Sequence, residues 1–196
     1  ALDKFDREHQ RRQAETELAL AASVFENSQE GILITNADKI IVRVNSSFSL
    51  LTGYQAEEVI GAIPSQMRVS DQHDEGFHQV MWERINTHGY WQGEISSHRK
   101  DGKTYPEWLT ITRVINKKGE TTHYVGIFVD ITDRKLNEER IHKLAFYDPL
   151  TLLPNRRLLI ERLRLALIIS QRSQCYGALM FMDIDRFKIL NDTQGH

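Results

Sequence analysis

The stretch that decides the fold runs Thr104-Tyr-Pro-Glu-Trp-Leu-Thr-Ile-Thr-Arg-Val-Ile-Asn-Lys-Lys-Gly-Glu-Thr-Thr-His-Tyr-Val-Gly-Ile-Phe-Val-Asp-Ile131. It holds two long β-rich runs, Thr104–Ile115 and Thr121–Ile131. Asn116-Lys-Lys-Gly119 joins them as a hairpin turn, with glycine where a positive φ is needed. A third run, Tyr90–His98, comes before them across Lys100-Asp-Gly-Lys103, so the spacing predicts a three-stranded antiparallel meander.

Upstream of the meander, Gly31-Ile-Leu-Ile-Thr35 and Ile40-Ile-Val-Arg-Val44 form a second hairpin around Asn36-Ala-Asp-Lys39. Asn45-Ser46 offers a helix cap, Phe48, Leu50 and Leu51 are apolar residues after it, and Gly53 stops the helix. Glu57 to Ile60 predicts one more turn, closed by Gly61, and residues 74–88 a longer helix with Phe77, Met81 and Ile85 as its stripe. Two strands, a helical insertion and a meander make an α+β domain with one antiparallel sheet.

Flanking segments read differently. Residues 1–24 lack glycine and proline, carry many charges and place Leu18, Ala21, Ala22 and Phe25 at helical spacing, which predicts a connector helix. A solvated helix and a dimeric coiled coil both fit that pattern. Residues 133–147 predict a linker helix with Leu136, Ile141, Leu144 and Ala145 on one side, broken by Asp148-Pro149. A further helix over 155–173 leads to the apolar run Tyr176-Gly-Ala-Leu-Met-Phe181, expected to be a buried strand. Asp183 and Asp185 then stand where that strand emerges, a position from which carboxylates hold Mg²⁺.

With 196 residues, 40% hydrophobic, 27% charged and a net charge of −2, the chain has no basic footprint for nucleic acid. No apolar run reaches the length of a membrane span and no signal peptide is visible. Cys175 is the only cysteine, which removes disulfide frameworks and thiolate metal sites and predicts a cytoplasmic setting. Ala1 and His196 both read as cut ends, predicting a piece of a longer protein that an upstream segment could anchor to a membrane.

Several separated motifs carry a resemblance to a known family. Phe25-Glu-Asn-Ser-Gln-Glu-Gly-Ile32, Asn45-Ser-Ser-Phe48, Leu51-Thr-Gly-Tyr54, Glu58-Val-Ile-Gly61, Met81-Trp82, Trp91-Gln-Gly-Glu94, Arg99-Lys-Asp-Gly102, Pro106-Glu-Trp-Leu109 and Asp130-Ile-Thr132 occur in order. Together they resemble a PAS domain with its C-terminal PAC motif, over residues 25–132. The resemblance implies a five-stranded antiparallel sheet with helices on one face, and a small cavity between sheet and helices. Residues 148–196 resemble the first part of a GGDEF (diguanylate cyclase) domain, a βαββαβ-type start. That likeness rests on Tyr147-Asp-Pro-Leu-Thr-Leu-Leu-Pro-Asn-Arg156, Asp183-Ile-Asp-Arg-Phe-Lys188 and Asn191-Asp-Thr-Gln-Gly-His196. Leu152 stands where that family usually has glycine.

The second resemblance implies that the parent protein condenses two GTP into cyclic di-GMP and pyrophosphate with Mg²⁺, in a homodimer that joins two half-sites. By position it makes Asp183 and the Ile184 carbonyl metal ligands. It assigns Arg186, Phe187 and Lys188 to the phosphates, Asn191 to guanine and His196 to the nucleotide's surroundings. The GGDEF loop lies beyond His196, so this chain is expected to be inactive by itself. The first resemblance implies a small-molecule or redox signal at the cavity. Trp82, Trp91 and Trp108 are its flavin (FAD) candidates, with core packing as the plainer reading. Gly61–Arg68 contains no cysteine, excluding cysteinyl photoadducts. Haem is disfavoured because His73 and His78 read as surface or capping residues. Two other readings stay open: a PAS binding module with a degenerate GGDEF nucleotide receptor, and a pure dimerisation module.

Overall fold

The structure is a computed structural model describing residues 2–67, 75–183, 185–186 and 192–193. Its order is α1 (Leu2–Asn27), β1 (Gly31–Asn36), β2 (Ile41–Val44), α2 (Ser46–Thr52), α3 (Ala56–Val59), α4 (Pro64–Met67), α5 (Glu75–His88), β3 (Tyr90–His98), β4 (Thr104–Ile115), β5 (Thr121–Asp130), α6 (Thr132–Phe146) and α7 (Arg156–Ser173). The chain divides into two compact units, residues 1–137 and 138–196, the division falling within α6.

In the first unit the five strands form one antiparallel sheet in the order β2-β1-β5-β4-β3. The meander forms as the sequence predicts, and both its turns place glycine in the left-handed region, Gly102 at φ 82° and Gly119 at φ 81°. β1 inserts beside β5, so the first and last strands of the domain are neighbours, with Leu33 opposite Gly126 and Gly31 opposite Phe128. Gly31 has no side chain for a reason: a Cβ there would lie 2.3 Å from Phe128 Cζ. Phe128 fills that space, fully buried and edge-on to Phe48 at 5.8 Å.

Asn45 ties three elements together. Its Oδ1 accepts the Phe48 N–H at 2.9 Å, capping α2, and the Ile32 N–H at 2.8 Å. Its Nδ2 donates to the carbonyls of Glu30 at 2.9 Å and Phe25 at 3.1 Å, so the end of α1, β1 and α2 share one buried amide. The apolar stripe expected on residues 74–88 is realised in α5, where Met81 and Ile85 are buried and Phe77 packs against the core.

The second unit is held by short-range contacts. Tyr147 bridges Pro154, and the Asn155 N–H donates to the Phe146 carbonyl at 2.8 Å. The Asn155 side chain caps α7 through Arg157 and Leu158 while donating to the Ala145 carbonyl at 2.9 Å. Asp148 accepts from the Thr151 N–H and hydroxyl and from the Leu150 N–H, and the Thr151 amide foremost holds its carboxyl below the usual range. Leu152 completes this turn at φ 56°, in the left-handed region that favours glycine.

The strand expected at 176–181 does not form: residues 175–183 are irregular and exposed. A strand satisfies its backbone groups only against a partner strand, and among the described residues of this unit none lies beside it. No described helix is long and apolar enough to cross a membrane.

Candidate functional site

Strand alternation builds one face of a cavity. Glu107, Leu109 and Ile111 of β4 point inward on every second residue, beside Ile95 and Ser97 of β3, Tyr124 and Gly126 of β5, and Leu33 and Thr35 of β1. α5 closes the opposite side with Phe77, His78, Met81 and Trp82, and the segment around Pro64 adds an edge. The cavity volume is about 180 Å³. Gly126 helps keep it open, since a Cβ there would already sit 3.2 Å from Leu33 Cγ.

Most of this lining is apolar, but the polar groups are placed unevenly. Glu107 is 1% exposed, an unusual position for a carboxyl, and Tyr105 donates its hydroxyl to Oε2 at 2.7 Å. At the other end Lys39 lies over the Trp82 ring, Nζ 3.8 Å from the centroid, and Trp82 meets Tyr124 edge-on at 5.3 Å. Lys39 holds φ 66°, a left-handed backbone that a lysine adopts only with strain.

The Glu107 end of the cavity adjoins a second network. Tyr105 lies under the Arg99 guanidinium, whose Cζ is 4.0 Å from the ring centroid. Arg99 donates to the Leu51 carbonyl and pairs with Asp130. Asp130 also accepts the Thr132 N–H at 2.8 Å and so caps the start of α6. Burial pushes the Asp130 carboxyl up, but Thr132 and Arg99 outweigh it and hold it below the usual range.

Of the three tryptophans expected around a cofactor, only Trp82 lines the cavity. Trp91 is buried in the neighbouring core, edge-on to Phe77 at 5.8 Å. Trp108 is 43% exposed on the other face of β4, because it alternates with the inward Glu107 and Leu109. His78, read from the sequence as a surface or capping residue, does line the cavity; His73 lies outside the described residues. Sequence reasoning passed over Glu107 and Lys39. A lone acidic residue at an inward step of Tyr105-Pro-Glu-Trp-Leu109 was the available signal for the first.

Among the nucleotide-site candidates, Asp183 and Arg186 are exposed, and Ile184, Phe187, Lys188, Asn191 and His196 lie outside the described residues. Among the described residues no three His, Cys, Asp or Glu side chains gather as a metal-ligand set.

The PAS domain profile matches residues 29–133, and that of the diguanylate cyclase GGDEF domain matches residues 145–196. A nitrogen fixation regulatory protein of Klebsiella oxytoca is 29% identical over 119 residues, 61% of this chain and 24% of that protein. A probable diguanylate cyclase, DgcE of Escherichia coli K12, is 30% identical over 103 residues, 53% of this chain and 9% of its own length. A diguanylate cyclase of Vibrio cholerae is 38% identical over 78 residues, 40% of this chain and 24% of that protein. This chain therefore spans a quarter or less of each of these relatives. Among solved structures, the PAS domain of an HTR-like protein from Haloarcula marismortui superimposes with a TM-score of 0.51 at 26% identity, covering 64% of this chain and 99% of that one. A PAS domain from Colwellia psychrerythraea gives a TM-score of 0.56 at 24% identity, over 60% of this chain and 98% of that one, a likeness of fold.

Proposed function

The chain belongs to the PAS-domain family and continues into GGDEF sequence, and from that premise we propose that its cavity senses a small molecule and controls cyclic di-GMP synthesis. The reaction joins two GTP: each ribose 3′-oxygen forms a bond to an α-phosphorus, pyrophosphate leaves and the hydroxyl proton is lost. Two half-sites are needed, so the working form is a homodimer.

One observation carries the coupling. Asp130, at the end of β5, is held by Arg99 from the cavity side of the sheet and caps the first turn of α6, the helix that leads into the GGDEF-matching residues. A change at the cavity that shifts Arg99 therefore bears directly on where that helix starts. Coupling of this kind needs an element with two arrangements that the ligand favours unequally, and the Arg99–Asp130–Thr132 linkage is our choice for it.

The ligand we favour is colourless. A flavin would meet one tryptophan, not three. Its three fused rings also exceed a space comparable with the ~150 Å³ cavity that accepts benzene.

The test uses a protein that carries this chain with a complete GGDEF domain. Asp130→Ala should change cyclic di-GMP yield several-fold at equal protein level. Equal yields would sink the coupling.

A further inference from the structure

We propose that the cavity takes a bipolar small molecule, with a cationic or N–H-bearing nitrogen at one end, a carboxylate at the other and an apolar ring or chain between. The inference rests on the sensory reading of the cavity and specifies what is sensed.

Glu107 pairs with Asp130 across β4 and β5, while Tyr124, at the far end of the cavity, pairs with Arg113, six residues along the same strand. A rise of about 3.3 Å per residue puts those two rows roughly 20 Å apart along the strand. The cavity is therefore elongated along β4, with Leu109 and Ile111 as the apolar floor between its ends. Glu107 marks one end. Lys39, from the β1–β2 turn, marks the other, where Thr35 pairs with Tyr124.

Each end has its own chemistry. A carboxyl is rich in acceptor sites, so Glu107 can take a ligand N–H from the cavity side as well as the Tyr105 hydroxyl. Lys39 offers only donors and a positive charge, which suits a ligand carboxylate. His78 and Tyr124, the other titratable groups of the lining, can each donate or accept and so do not set the polarity. Between the two poles, Met81, Leu109 and Ile111 suit a flat apolar body.

A ligand without the carboxylate would leave the Lys39 ammonium facing an apolar surface, and one without the nitrogen would add nothing to the bonds Glu107 already has. Sites built to hydrogen-bond a group reject analogues that lack it for this reason. The backbone of Lys39 adds a separate observation. This lysine is held at φ 66°, a conformation glycine would take without strain, and its ammonium is delivered to the cavity from there.

The experiment is calorimetric titration of the 196-residue chain with 4-(aminomethyl)benzoate, benzylamine and 4-methylbenzoate, which share one ring and differ in their poles. We expect the bipolar probe to bind at least tenfold more tightly than either single-ended one. Glu107→Gln should erase most of its advantage over 4-methylbenzoate. Lys39→Gly should erase most of its advantage over benzylamine while leaving the Tm unchanged or higher, an outcome that a merely structural lysine would not give. Should Glu107→Gln fail to fold, the probe series and Lys39→Gly decide alone. Three probes of equal affinity, an advantage that survives both substitutions, or no binding would each overturn the proposal. Because this readout involves no cyclase output, its failure is separable from failure of the signalling reading, which the Asp130→Ala yields test.

Discussion

Asp130 accepts the Thr132 N–H through one carboxylate oxygen and the Arg99 guanidinium through the other, so a single residue closes the sheet and opens α6. Its carboxyl is held below the usual range. For an acid whose value is lowered on folding, the stabilisation is complete above the unfolded value, about pH 4, and is lost as the pH falls through the lowered folded one. Arg99→Ala should cost about 2 kcal/mol at neutral pH, read by urea unfolding followed through tryptophan fluorescence. The gap between variant and parent should narrow in acid to the part owed to the Leu51 carbonyl and the Tyr105 ring. A gap that persists unchanged there would contradict the assignment.

Asn45→Ala removes four hydrogen bonds in one step, the α2 cap among them. A cap is worth about 1 kcal/mol, and the buried groups left unpaired add a comparable or larger amount, so a loss of about 3 kcal/mol is expected. Asn45→Asp separates the contributions, because it keeps the two accepted bonds and loses the two donated ones. It should fall between parent and alanine variant in urea midpoint.

Leu152→Gly should stabilise the second unit. Leu152 is 73% exposed, so little burial is lost, and its φ of 56° costs a branched side chain about 1 kcal/mol. Extra freedom in the unfolded chain offsets part of that gain and leaves about 0.5 kcal/mol. All three tryptophans lie in the first unit, so hydrogen exchange across residues 147–159 is the suitable readout. Faster exchange in the variant would count against the turn geometry.

The freshly purified chain should show no visible absorption, oxidised or reduced. A flavin or haem band would assign the cavity to redox or gas sensing and displace the bipolar ligand proposed above.

How much of this was legible beforehand differs between elements. The meander could be read because glycine sits in each turn and apolar residues alternate along each strand, both local signals. The Asn45 cap could be read for the same reason, though its bonds to Phe25 and Glu30 join segments that only folding brings together. Trp108 shows where local reading failed. Aromatic character suggested the cavity, but one step of alternation turns it to the other face, and Glu107 takes the inward place. Residues 176–181 were apolar enough for a strand, yet a strand is a property of a pair. The Glu107–Lys39 polarity depended on register between four strands and a turn, information that no single segment holds.

The cavity behind β4 has a mechanical consequence. Space inside a folded domain that water fills on unfolding makes the native state the larger one, so hydrostatic pressure favours the open chain. The first unit should therefore yield to pressure more readily than a fully packed sheet of its size, and an occupant that fills the void should harden it.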